Sequence, residues 1–173
     1  MAGSTETIQV LYNRADIVNF MGLTEDATTF NRMTGFTDNG KSLNSSTYER
    51  RYVDEKTSRK DVTGYATEIA YTFDRYTNNS VHDKVANVHD LEQVGVVVPI
   101  VAVNFNEKGT TANSFKARKR NYAILPDNDG DGTDAYQYSG AFGANGDLVE
   151  GTATSSDGWK TCTFTPNTTP SNN

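Results

Sequence analysis

Between Val96 and Val103 seven aliphatic residues run together, interrupted only by Pro99. A stretch that is apolar at every position, not every second one, belongs to a strand covered on both faces. A helix feeds directly into it. Ser80 followed by Asp83 reads as its start, because a Ser hydroxyl accepts a free N–H of the first turn and a carboxylate suits the positive end of the dipole. Val81, Val85, Val88 and Leu91 then recur at spacings of four, three and three, which predicts one apolar helical face. Gly95 supplies a C-terminal cap, so the helix is expected over 80–94. The two-sided strand must therefore lie between this helix and a second layer.

Composition limits what surrounds the pair. The chain has 173 residues, enough for one domain with a single core. Only 35% of them are hydrophobic, so a modest core with long polar loops or tails, ordered against a partner, is expected. The abundance of Thr, Asn, Asp, Gly and Tyr favours strands joined by turns. A net charge of −6 argues against tight binding of nucleic acid by the surface as a whole. Cys162 is the sole cysteine, which excludes an intramolecular disulfide and a cysteine-based zinc cluster and leaves a small apolar strand residue. No apolar run reaches membrane-spanning length and Met1–Thr7 is polar without basic residues, so synthesis in the cytoplasm and no membrane partner are expected.

Read in order, residues 1–27 form an N-terminal arm whose scattered apolar groups (Ile8, Val10, Leu11, Ile17, Val18, Phe20) need covering, with another subunit as a candidate cover. Residues 28–166 form the main domain. Its strands are expected at Thr28–Thr37, Thr47–Asp54, Val62–Tyr65, Thr67–Asp74, Val96–Val103, Tyr122–Leu125, Tyr136–Phe142, and in a closing hairpin of Leu148–Thr154 with Trp159–Thr165. Pro126 and the Asp-rich loop after it are expected to end their strand. The clearest two-faced strand sets Ile69, Tyr71 and Phe73 against Glu68, Ala70, Thr72 and Asp74, which implies a sheet with one face on the core and one on water or a water-filled channel. Residues 167–173 are a tail. Roughly seven or eight strands against one helix predict a mainly β fold: a two-sheet β-sandwich or flattened barrel with one flanking α-helix and extended arms.

Few strings suggest chemistry. Asp127, Asp129 and Asp131 with Gly132 match the first half of a calcium loop, but Tyr138 stands where a bidentate Glu is required and a strand follows in place of the exiting helix. A plain acidic turn is favoured over a metal site, and no cofactor is expected. His82 and His89 are two helical turns apart, about 10 Å along the axis, too far to share a metal, and read as surface histidines. No G-x-S-x-G, Walker-type or H-E-x-x-H string occurs, so enzymatic activity has no support. Lys116, Arg118, Lys119 and Arg120 make a basic cluster, but strand alternation divides its charges between two faces, so ion pairs within the chain or across a subunit contact are favoured over nucleic-acid binding.

Three segments together resemble a phage tail tube protein, the major tail protein of long-tailed phages of Gram-positive bacteria. They are Tyr12-Asn13-Arg14-Ala15-Asp16; Arg51 to Thr57 with Val62-Thr63-Gly64-Tyr65; and Asp127 through Tyr138 with Gly151-Thr152-Ala153-Thr154 and Asp157-Gly158-Trp159-Lys160. The resemblance implies a structural virion protein without enzymatic activity, six copies to a ring, with rings stacked into a hollow tube. That tube encloses the tape measure protein and conducts DNA as non-specific cargo during ejection. Tail terminator and baseplate or distal tail proteins would be further partners, and the virion tail of a non-contractile phage the location. Under this reading Glu68, Thr72 and Asp74 face the lumen. Tyr12, Arg14, Asp54, Glu55, Lys56, Arg59, Lys60, Asp61, Lys116 and Arg118 are expected at contacts between subunits or rings. The competing reading is a calcium- or carbohydrate-binding β-sandwich module, drawn from the Asp-rich loop and the Tyr-rich strands.

Overall fold

The structure, a computed structural model, describes residues 8–167. A single 3-10 turn, Arg14–Asp16, precedes β1 (Ile17–Met21), β2 (Thr29–Arg32), β3 (Phe36–Asp38), β4 (Lys41–Ser42), β5 (Ser45–Arg50), β6 (Arg59–Tyr65) and β7 (Glu68–Asp74). The helix α1 (Ser80–Asp90) leads to β8 (Val97–Lys108), β9 (Ser114–Asp129), β10 (Gln137–Ala144), β11 (Val149–Thr154) and β12 (Thr161–Pro166). The fold is mainly β, with one helix on its flank.

Six strands close on themselves in the order β11-β12-β2-β1-β8-β9, because β9 pairs back onto β11. Closure removes the free edges that a flat sheet of this size would expose. The sheet then continues past β9 through β10 and β7 to β3 and β4. Strand β9 does both jobs: Ser114–Lys119 pairs with β11 inside the barrel, while Tyr122–Asp129 pairs with β10 in the extension.

Strand β8 is buried on both faces, as the unbroken apolar run requires. Phe20, Phe30, Val101, Val103, Ala117, Ala153 and Cys162 fill the barrel interior, whereas Val98 and Ile100 join Met21, Ile69, Tyr71, Phe73 and the helix residues Val81, Val85 and Val88 in a second core. Alternate side chains of one strand therefore feed two separate cores. Burying both in so polar a chain is what allows long loops to remain exposed.

The structure departs from the sequence-based expectation in several places. The segment 1–27 is not an arm throughout, since β1 lies within it and Phe20 and Met21 are fully buried. Its extended part among the described residues is 8–13, and the expectation for 1–7 lies outside them, as does that for 168–173. Thr28–Thr37 is two strands, broken at Gly35, whose φ of 75° would strain a side chain. Pro126 does not end its strand: it faces Gly140 at an irregularity in the β9–β10 register, where a missing N–H is tolerated, and β9 continues to Asp129.

The helix begins one residue beyond its true cap. Asn79, not Ser80, accepts the N–H groups of Val81 and His82. At the other end it stops at Asp90, four residues short of expectation, since the Glu92 N–H bonds to the His89 carbonyl and the Gln93 N–H to that of Val88. These two bonds form a Schellman closure with Glu92 in the left-handed position at φ 47°. Leu91 consequently leaves the apolar face and is 66% exposed.

Candidate functional site

The extension sheet has two unlike faces. On β7 Ile69, Tyr71 and Phe73 are buried beneath α1, while Glu68, Ala70, Thr72 and Asp74 point away from it. Antiparallel register continues the outward face across the sheet. Strand β10 sets Gly143, Ala141, Ser139 and Gln137 opposite those four residues, and β9 sets Ala123 and Leu125 opposite Gly143 and Ala141. None of these positions holds Lys or Arg. Gln137 Nε2 donates to Asp74 Oδ1 at 2.8 Å, and Asp38 lies opposite Thr72, which adds a third carboxylate at the β3 edge. The result is a smooth, small-residue surface with acidic borders and no helix upon it. The sequence-predicted lumen residues Glu68, Thr72 and Asp74 thus share one bare face.

The expected contact residues fall into separate places. Strands β5 and β6 form a two-stranded sheet of their own, paired from Ser45–Tyr65 to Arg50–Arg59 and exposed along nearly its whole length. Asp54, Glu55 and Lys56 sit at its tip, with Arg59, Lys60 and Asp61 on its returning strand. Glu55 is paired with Arg59, and Lys60 Nζ lies 3.3 Å from Glu49. Tyr48, Tyr52, Val53 and Val62 stand half to fully exposed on it. A two-stranded ribbon without a covered face is marginal by itself. Those apolar groups stand in water instead of packing on either core.

Arg14 is committed within its own chain, donating to the Ile17 and Asn39 carbonyls at 2.7 and 3.3 Å. Tyr12 stands half-exposed beside it on the arm. Lys116 and Arg118 pair with Glu107 at 2.8 Å and Glu150 at 3.8 Å on the outward side of the barrel. The hydrogen bond from Lys116 raises its ammonium above the ordinary range and lowers the Glu107 carboxyl. Arg120 donates to the Gly146 carbonyl, and Lys119 lies 5.5 Å from the centre of the Phe30 ring. The basic cluster is therefore divided among local partners.

The surface placement expected for the histidines is corrected. Both histidines are buried, at 0% and 8% exposure, where surface positions were expected. His82 stacks on Phe73 with ring centres 4.5 Å apart, and its two nitrogens meet the Tyr76 N–H and the Thr34 carbonyl. His89 meets the Tyr71 hydroxyl at 2.8 Å and lies 3.6 Å from Asp129. Burial pushes both imidazoles below their usual pKa. A valine-only periodicity misses them because an imidazole with both nitrogens satisfied packs like a flat apolar ring.

The Asp-rich string of the calcium reading lies partly on a strand. Asp127 and Asp129 belong to β9, Asp129 accepts from the Tyr136 hydroxyl at 2.9 Å, and Asp131 accepts from Asn128. Extended backbone spreads carboxylates that a calcium loop would gather, and no group of three or more metal-ligating side chains forms among the described residues. No helix among them is long and apolar enough to cross a membrane.

No family model matches this chain, and no curated protein matches it. Among solved structures, a chain of the cryo-EM structure of the anti-feeding prophage baseplate is similar at 6% sequence identity with a TM-score of 0.47. The similarity covers 83% of this chain and 96% of that one. A likeness at that level assigns neither a family nor a partner.

Proposed function

We propose that this chain is a structural subunit of a phage tail, with six copies forming a ring and stacked rings forming a hollow tube that conducts DNA. The observation that carries the reading is the bare face of the β7–β10–β9 sheet. One side of that sheet is covered by α1, while the other presents Ala70, Thr72, Ala141, Ser139 and Ala123 between Glu68 and Asp74 without a single cation. Such a wall suits a conduit for a polyanion. Each Lys or Arg that neutralises a phosphate adds affinity and slows transit, whereas small hydroxyl and methyl groups bordered by carboxylates do not.

In this reading the face lines the lumen, and the exposed β5–β6 ribbon and the N-terminal arm contact neighbouring copies, where many modest interactions sum around a ring. The tape measure protein would occupy the channel before ejection, with tail terminator and baseplate proteins at the ends. The chain would act by geometry and not by catalysis, in the virion tail after synthesis in the host cytoplasm. Negative-stain microscopy of the concentrated protein tests the proposal. Rings with a central bore, stacking into tubes, are expected; a monomer at every concentration overturns it.

A further inference from the structure

Strand β7 has segments of opposite charge at its two ends. Before it, β6 hands over through Ala66 and Thr67 to Glu68, so the root of the β5–β6 ribbon, where Ser45 faces Tyr65, lies at the Glu68 end of the extension sheet. At the far end Asp74 faces Gln137, and there the β9–β10 connection 130–136 leaves the same sheet. The two ends are about 20 Å apart at the usual rise per residue of a strand. The connection is acidic: Asp127, Asp129, Asp131 and Asp134 fall within eight residues, and no Lys or Arg occurs between Asn121 and Trp159. All four are exposed, and among the described residues none has a Lys or Arg within ion-pair distance, Asp129 meeting only His89. Asn128 donates to Asp131 at 2.6 Å, which fixes that carboxylate without neutralising it.

The ribbon carries the matching charge. Arg50 stands directly opposite Arg59, and like charges in that position destabilise a strand pair. Glu55 holds Arg59, Glu49 holds Lys60, and Asp61 faces Tyr48, so among the described residues Arg50 and its neighbour Arg51 are exposed with no carboxylate in ion-pair range. The Arg50 guanidinium carbon lies 5.9 Å from the centre of the Tyr48 ring, a stack that positions the group and leaves its N–H edge outward. A carboxylate brought there offsets the repulsion across the ribbon and accepts two N–H groups at once. We propose that the turn 131–134 of one copy, through Asp131 and Asp134, docks on Arg50 and Arg51 of the next copy. The two surfaces lie at opposite ends of one sheet, so the contact is heterologous and repeats in one direction, building a stack and not closing a dimer. It rests on the tube-subunit reading and names what the ribbon touches.

Exchanging the charges tests it in the full chain. R50D/R51D and D131R/D134R should each raise the concentration needed for tubes roughly tenfold, read by sedimentation and electron microscopy. The fourfold variant R50D/R51D/D131R/D134R should bring it back to within about threefold of the original, because both surfaces then carry the reversed sign. All four positions are exposed, so the melting temperature of the dilute monomer should not change. The milder R50Q/R51Q, which removes charge without reversing it, should weaken assembly in the same direction. A melting temperature lowered in both double variants and recovered in the fourfold one would mean that ribbon and turn meet within a single chain, which overturns the proposal. Unaltered assembly by any of the double variants, or a folded fourfold variant no better than its parents, overturns this contact and leaves the tube reading standing. Unaltered assembly with loss of double-stranded DNA binding in R50D/R51D would give the arginines to phosphate and overturn it likewise. No tubes from the unsubstituted chain at any concentration overturn the contact and the tube reading together.

Discussion

His82 Nε2 lies 2.7 Å from the carbonyl oxygen of Thr34, and with Nδ1 receiving the Tyr76 N–H at 3.1 Å the ring is held as the neutral Nε2-protonated tautomer. A second proton has nowhere to go except onto Nδ1, where it would displace the Tyr76 bond beneath the helix. His89, also buried, faces the Tyr71 hydroxyl and Asp129, with Asp90 nearby. For both histidines desolvation outweighs the neighbouring carboxylates and lowers the folded-state pKa from 6.5. The unfolded chain therefore binds more protons below about 6.5, so the stability these groups contribute is complete above that pH and is lost as pH falls through it. Melting curves between pH 8 and pH 5 should show a fall on the acid side of 6.5. The variant H82F keeps a ring against Phe73 but strands two half-buried backbone partners. It should cost roughly 1–3 kcal/mol at neutral pH and flatten the acid-side fall. An acid-side slope as steep as that of the unsubstituted protein would show that the fall does not come from His82.

Glu92 occupies the left-handed position that closes α1, at φ 47°, and its side chain is exposed. A non-glycine residue there costs about 1–2 kcal/mol, and glycine's greater freedom in the unfolded chain returns part of that gain. The variant E92G should therefore stabilise the fold by up to about 1 kcal/mol, which for a domain of this size raises the melting temperature by roughly 2–4 °C. E92A should give no such rise. Thermal unfolding of the two variants side by side decides it.

How much of this was legible can be followed residue by residue. The apolar run at Val96–Val103 gave away a strand covered on both sides, and β7 was readable to within one residue, Thr67–Asp74 expected against Glu68–Asp74 found, because Ile69, Tyr71 and Phe73 take every second position. Leu91 was misplaced because period alone cannot say where a helix stops, and the Schellman closure begins just before the leucine. The polar partners of His82 lie at Thr34 and Tyr76, the first of them 48 residues away, and pairing across that distance leaves no local signature. Barrel closure was equally hidden, because it depends on β9 meeting β11 with its first half and β10 with its second. The same reasoning predicts that L91A is neutral within about 0.5 kcal/mol while V85A costs roughly 2 kcal/mol, measured by denaturant unfolding.

The bare sheet face makes a charge prediction. Glu68 is exposed and Thr72 half-buried on it, and neither side chain holds the core. The double variant E68K/T72K should fold and assemble like the unsubstituted protein, but its tubes should retain double-stranded DNA at low salt. Retention should weaken as salt rises, with a slope of about −0.9 per phosphate neutralised. Filter binding on assembled tubes across a salt series measures this. Equal DNA retention by substituted and unsubstituted tubes would place the face elsewhere than the bore.

The β5–β6 ribbon offers the sharpest separation of folding from assembly. Its strands pair with each other and with no strand of the main sheet, and their last register pair is Arg50 with Arg59. Replacing residues 51–58 by Asn-Gly joins those two positions through the turn that suits a two-residue hairpin, so the ribbon survives without its charged tip. Both cores lie elsewhere, in the barrel and beneath α1, and should not register the change. The monomer's melting temperature should therefore stay within a few degrees of the original. Asp54, Glu55 and Lys56 are lost with the tip, and Arg59 is left without its carboxylate partner. If those groups engage an adjacent ring, rings or short stacks should form without extending into tubes, and microscopy at matched concentration should show a collapse in length. Tubes of normal length from the shortened protein would remove the tip from the contact.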